Sequence, residues 1–309
     1  MRIAGVQAAS AYLNRAATIK KVLAAMEEAS RGGADLVAFP ETYVPGYPWW
    51  VDIAEDSAVF DDPTHKAAFS QYLDNAVDVD GPEFAEVIAA ARDLKLFAYV
   101  GVAERSTSGG SVYCSLVAID PTAGVVGVHR KLKPTFGERL VWADGDGHGL
   151  QVHEHNGWRV GGLNCWENWM PLARTSLYAQ GAQLHIATWP GSPHLTKDIT
   201  RFIAREGRMY VLSVGGVLRS EHLPESFVLR DQMIEFGDTY GRGGTMIVGP
   251  DGETIEGPVA REETIVYADI ELDAVRRERH NFDPTGHYSR PDVLQLKVNR
   301  SRRESAEFE

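Results

Sequence analysis

The sequence predicts one α/β domain, and three observations carry that prediction. Strand-like apolar runs alternate with segments of helical periodicity along nearly the whole chain. Connections between them are short and punctuated by glycine, proline and aspartate, with no linker composition and no repeat of fixed period. At 309 residues the chain is long enough for a core that needs no covalent staples.

Each element has its own signal. Residues 2–8, RIAGVQA, read as a buried strand. Asn14 offers an N-cap to a helix whose Ile19, Val22, Leu23 and Met26 recur at helical spacing, and Gly32-Gly33 stops it. DLVAFP at 35–40 is a short apolar strand ending at Glu41. The stretch 49–82 is acidic and irregular, an expected rim, oligomer contact or surface. Phe84, Val87, Ile88 and Ala91 line one face of a second helix, followed by the strand FAYVGVA. SVYCSLVAID, the turn DPTAG and VVGVHRK form a hairpin. WRVGGLN leads into Cys165, a helix to about Gln180 and the strand AQLHIATWP. A helix around Ile199, Phe202 and Ile203 precedes MYVLSVGG; GTMIVGPDGETIEG is a hairpin and ETIVYADIEL a late strand.

Composition narrows the function classes. Lys plus Arg total 31 against 43 Asp plus Glu, a formal charge of −12, which argues against a nucleic-acid binder. No apolar run approaches the roughly 18 residues of a membrane span, and the N-terminus lacks signal architecture, so no membrane association is expected. Two cysteines without a Cys-x-x-Cys spacing suit a reducing, cytoplasmic setting.

Sites of open α/β sheets gather just past the carboxyl ends of strands. Three reactive side chains fall there: Glu41 after LVAFP, Lys131 after VVGVHR and Cys165 after VGGLN. Singly, each has a plainer reading as a capping Glu, a solvated Lys or a buried, inert Cys. Together they make chemical sense. A neutral-pH thiol is mostly protonated, so a nucleophilic Cys needs help. The predicted helix after Cys165 and the Lys131 ammonium would both favour thiolate. Glu41 suits the role of proton acceptor, and Lys131 with the Trp166 backbone N–H would meet developing charge.

Other candidates compete. Cys114 shares a strand face with Val112 and Leu116 and reads as core. His129, two residues before Lys131 and on the same strand face, leaves a Cys–His dyad open. His153 and His155 in HEH share a face, but two ligands are too few for a metal, so a surface strand is expected. DGDG at 144–147 resembles a calcium loop, yet the twelfth position from Asp144 is His155, and a turn is expected. Among the clustered aromatics, Trp166, Trp189 and Tyr47 are the candidates to line a substrate pocket.

Four motifs then narrow the field: FPETYVPGYPWW around Glu41, HRKLKPTFGERLVWADGDG around Lys131, GGLNCWENWMPLAR around Cys165, and NFDPTGHYSRPDV near the end. In order and context, over nearly the whole chain, they resemble the nitrilase superfamily and within it the true nitrilase branch. The resemblance puts a Glu–Lys–Cys triad on Glu41, Lys131 and Cys165, and a second glutamate, orienting Lys131 or positioning substrate, on Glu138. It selects Lys131 over Lys133 and leaves His129 structural. It implies an αββα sandwich of two mixed sheets with helices on the outer faces, a single carbon-nitrogen hydrolase domain over residues 1–290. Residues 291–309 are expected to be a tail, mobile or at an oligomer contact. A homodimer or larger homo-oligomer built partly through the helix after Cys165 is also implied.

Cys165-Trp166-Glu167 resembles nitrilases rather than the amidase and carbamoylase branches. The implied reaction is hydrolysis of a small-molecule organic nitrile to the carboxylic acid and ammonia through a thioimidate and a thioester on Cys165, with a minor amide by-product. No metal and no organic cofactor is implied. An amidase, a carbamoyl hydrolase or a cyanide dihydratase would use the same triad. A catalytically silent binding protein on this scaffold is the reading that the four motif residues argue against.

Overall fold

The computed structural model describes residues 1–238, 240–303 and 306. In chain order its strands are β1 (Arg2–Gln7), β2 (Leu36–Ala38), β3 (Phe97–Arg105), β4 (Val112–Asp120), β5 (Gly124–Arg130), β6 (His153–His155), β7 (Trp158–Asn164), β8 (Leu184–Trp189), β9 (Tyr210–Gly215), β10 (Gly243–Val248), β11 (Thr254–Ala260) and β12 (Thr264–Asp269). The helices are α1 (Arg15–Arg31), α2 (Trp50–Ile53), α3 (Pro63–Asp74), α4 (Pro82–Leu94), α5 (Pro171–Tyr178), α6 (Pro193–Gly207), α7 (Arg230–Phe236) and α8 (Leu272–Asn281).

The strands form two six-stranded sheets, ordered β12-β1-β2-β3-β4-β5 and β11-β10-β9-β8-β7-β6. Both are mixed: β1, β2 and β3 are parallel, as are β7, β8 and β9, while the flanking strands pair antiparallel. The alternating pattern of the strands decides the layers. One face of the first sheet buries Val37, Ala98, Val100 and Val117 under Ile19, Val22 and Met26 of α1 and Phe84, Val87 and Ala91 of α4. Its other face presents Ile3, Leu36, Phe97 and Tyr99 to Leu184, Ile186, Leu212 and Ile247 of the second sheet. The outer face of the second sheet packs Ala187 and Val211 on Leu177 of α5 and Ile199 and Ile203 of α6. The result is the expected αββα sandwich, each fully buried aliphatic or aromatic side chain contributing about 1.5–3 kcal/mol.

Helix starts follow local chemistry. The Asn14 side chain accepts from the Ala17 amide at 3.0 Å, capping α1. α3, α4, α5 and α6 each begin with proline, whose missing N–H is no loss in a first turn.

Two expectations are corrected. The stretch 49–82 is not irregular throughout: α3 starts on an Asp62 N-cap and buries Ala68 and Tyr72, too few apolar positions to stand out as a period. β6 is an edge strand, yet His153 and His155 turn inward onto Phe97, at ring distances of 6.5 and 5.1 Å. Burial pushes the His153 imidazole down to about 4, so it packs as a neutral ring rather than a surface group. The DGDG stretch is a turn, with the Asp146 side chain accepting from the His148 amide at 3.0 Å. The Arg303 amide donates to Asp146 at 2.9 Å, so the chain following residue 291 returns to this turn. No helix among the described residues is long and apolar enough to cross a membrane.

Candidate active site

Three strand ends converge. Glu41 follows β2 on a turn that lies flat against β3, where Gly101 is required because a Cβ there would collide with the Pro40 carbonyl. Lys131 extends β5 by one residue, its amide donating to Cys114 O of β4 at 2.8 Å. Cys165 follows β7 with φ of +46°, a left-handed conformation that non-glycine residues adopt only where surroundings enforce it. Those surroundings are visible: the Asn168 side-chain amide donates to Leu163 O at 3.1 Å and to Cys165 O at 3.0 Å.

The side chains meet in a buried cluster. Atoms of Glu41, Glu138 and the Cys165 sulfur all lie within 4.8 Å of one another. The Lys131 ammonium donates to Glu41 Oε1 at 2.9 Å and to Glu138 Oε2 at 2.6 Å. Glu138 is fixed from two further directions, accepting from the Thr135 amide at 2.6 Å and from the Tyr47 hydroxyl at 2.8 Å. Glu41 Oε1 also accepts from the Cys114 thiol at 3.3 Å, while Oε2 has no partner among the described residues. The spacing of the two carboxylates and the thiol would suit a metal by distance, but Lys131 already supplies the cation between the glutamates.

Electrostatics set the resting protonation. Burial pushes the Glu41 carboxyl up to about 7 against the pull of Lys131, with Glu138 adding to the rise. Burial opposes the Lys131 charge, but Cys165 whenever it is ionised, and the Glu41 and Glu138 carboxylates beside it, hold the side chain as an ammonium. Burial and Glu41 push the Cys165 thiol well up, outweighing Lys131 and the Trp166 backbone N–H. The pull toward thiolate expected from a helix N-terminus and Lys131 is thus opposed by burial and by Glu41. Residues Cys165–Trp169 form a single 3-10 turn ahead of α5, and two nearby carboxylates outweigh one ammonium. The cluster sets the Cys165 sulfur beside two carboxylates and an ammonium, an arrangement in which a proton could pass between thiol and carboxylate.

The remaining candidates take varied positions. Tyr47 is buried against Glu138, and near it burial raises the Asp52 carboxyl to about 6, with Glu138 adding to the rise. Trp166 is 43% exposed and stacks on Trp169, with centroids 5.5 Å apart. Trp189 is buried in the same apolar cluster as Cys165, its indole N–H donating to Ser213 at 2.9 Å. Lys133 sits at the surface on Asp144 at 2.8 Å. His129 bonds Glu167 through Nε2 at 2.8 Å.

That last contact exposes a residue the sequence reading used only as a branch marker. Glu167 is fully buried and accepts from His129, from the Leu132 amide at 2.8 Å and from the Asn164 amide at 3.1 Å. Burial opposes its charge, but His129 and the two amides hold its carboxyl below the usual range. It thereby ties the residue after Lys131 to the residue before Cys165. Cys114 was likewise read as core; it is buried, and its thiol also serves Glu41. Neither role leaves a local sequence signal, because both depend on partners in other strands.

A family model for carbon-nitrogen hydrolases matches residues 2–280. The chain belongs to the carbon-nitrogen hydrolase family. Among relatives of this hydrolase, an aliphatic nitrilase of Rhodococcus rhodochrous is 37% identical over 96% of this chain and 82% of its own. A nitrilase of Bradyrhizobium diazoefficiens is 38% identical over 96% of this chain and 92% of its own. These identities put the hydrolase in the nitrilase branch. The fold is shared more widely: a carbon-nitrogen hydrolase from Helicobacter pylori superposes with a TM-score of 0.72 at 20% identity, over 94% of this chain and 96% of that one.

Proposed function

We propose that this hydrolase is a nitrilase, converting an organic nitrile to the carboxylic acid and ammonia through covalent intermediates on Cys165. The observation that carries the reading is the buried meeting of the Cys165 thiol, the Glu41 base and the Lys131 ammonium, with Glu138 bracing the lysine. The similarity to nitrilases over nearly the full chain supports it.

Glu41 takes the thiol proton as sulfur bonds to the nitrile carbon, and one π pair moves to nitrogen. Lys131 and the Trp166 N–H, both of which favour negative charge at Cys165, steady that charge until nitrogen is protonated to a thioimidate. Glu41 then activates water, which adds to the same carbon. Expulsion of ammonia leaves a thioester, and a second water releases the acid and restores the thiol. Expulsion of the thiol in place of ammonia releases an amide, the minor product. Tyr47 and Glu138 hold Lys131 in position, the Trp166 side chain borders the entering substrate, and Trp189 backs the cysteine from the apolar cluster. No metal or organic cofactor takes part in this scheme.

A homodimer or larger assembly is part of the same reading. Trp166, Trp169, Leu172 and Phe202 are 43%, 43%, 65% and 53% exposed on and beside α5 and α6, an apolar surface that pairing would cover.

Ammonia release from aliphatic, aromatic, arylacetic and dinitrile substrates and from cyanide, each organic nitrile beside its amide, tests the reaction class. Turnover of amides with none of nitriles would replace the reading with an amidase. Single-turnover mass spectrometry should find the adduct on the Cys165 peptide; hydrolysis of nitriles by Cys165→Ala would refute the mechanism.

A further inference from the structure

Beside the catalytic cluster lies a second cavity of about 240 Å³, bordered by Arg219, Arg242, Arg261 and Tyr240. Part of its wall is shared with the cavity that touches Glu41. Val217 and Leu218 line both this cavity and the narrow one over Glu41. The Tyr240 ring lies 6.1 Å from that of Trp49, a residue of the Glu41 cavity. The Arg242 amide donates to Gly191 O at 3.1 Å, next in sequence to Pro190 of the Glu41 cavity.

The charge at this cavity runs against that of the whole molecule. In a chain of net charge −12, three guanidinium groups border one cavity. Asp238 is the one carboxylate in the lining, and it is occupied: it accepts from the Ser220 amide at 2.6 Å and from the Ser220 hydroxyl at 2.5 Å. Arg219 leans on Glu221 at 3.4 Å. Among the described residues, no carboxylate forms an ion pair with Arg242 or Arg261. Planar guanidinium groups without a partner match the two oxygens of a carboxylate better than any neutral group.

The geometry points to a substrate that carries its own carboxylate: a short cyano-carboxylic acid, its nitrile carbon at Cys165 and its carboxylate between Arg242 and Arg261. The inference rests on the nitrilase reading and adds the substrate class. Such a site is partly open to water, so its preference weakens as salt screens it.

The experiment measures ammonia release by the full chain from straight-chain ω-cyano carboxylates of two to five methylenes, each beside its methyl ester. For at least one length, wild type should favour the acid over the ester in kcat/KM by about tenfold, the scale of one charge-assisted contact. The advantage should reside in KM and shrink between low and high salt. Arg242→Met and, separately, Arg261→Met should each lower the acid-to-ester ratio, and Arg242→Lys should restore part of it. Equal or better turnover of the ester at every length would overturn the inference alone. So would ratios unmoved by both methionine variants and by salt. Ammonia from neither compound class nor from any other nitrile would overturn the nitrilase reading with it.

Discussion

Glu167→Gln tests whether a residue outside the triad sets its geometry. The wild-type carboxylate presents Oε1 to the Leu132 amide and Oε2 to both the Asn164 amide and His129. A glutamine has one acceptor oxygen. In its best arrangement the oxygen keeps Leu132, and the amide nitrogen donates to a re-tautomerised His129. The Asn164 N–H then faces an N–H. One buried, unpaired donor costs about 1–3 kcal/mol, and losing charge assistance on the other bonds adds roughly 1 kcal/mol. A destabilisation of about 2–4 kcal/mol follows, which at an m-value of about 3 kcal/mol/M lowers the urea midpoint by about 1 M. Tryptophan fluorescence during urea titration reads it. Because the substitution loosens the tie between the Lys131 and Cys165 segments, kcat should fall about 10- to 100-fold. Acidification gives a second check. The folded-state carboxyl sits below its ordinary range, so its stabilisation is present above that range and is lost as pH falls through the lowered value. The acid-side loss of stability should therefore be shallower in Glu167→Gln than in wild type. An unchanged midpoint together with kcat within about twofold of wild type would refute the clasp.

Glu41→Gln should lower kcat by about 10²–10⁴-fold, and His129→Asn by far less, since His129 bonds Glu167. The base must be ionised to accept the thiol proton, so kcat/KM for wild type should fall as pH drops through about 7, absent other limiting groups. Cys114→Ala removes a donor that favours the Glu41 carboxylate, and that limb should move to higher pH while iodoacetamide still labels Cys165. Leu172→Glu, at a position 65% exposed on α5, should shift sedimentation towards monomer without changing the far-ultraviolet circular dichroism.

What could be read from the chain was whatever is encoded locally. The α1 period, the Asn14 cap and the Gly-Pro-Asp-Gly hairpin are nearest-neighbour features, and the layers follow once apolar faces must be covered. Glu41, Lys131 and Cys165 could be singled out because each stands at the end of an apolar run. α3 escaped notice because only Ala68 and Tyr72 are buried along it, and α8 because only Val275 is buried along it.

Contacts between distant segments were decided by the tertiary structure. The pairing of β4 with β5 sets Leu116 opposite His129 and brings Cys114 beside Lys131, so a core thiol comes to bond Glu41. The Tyr47 hydroxyl reaches Glu138 across 91 residues. The protonation of Cys165 belongs to this class too. Whether a sulfur rests as thiol or thiolate depends on how much water is removed and which charges remain nearby, and both are properties of the packed site.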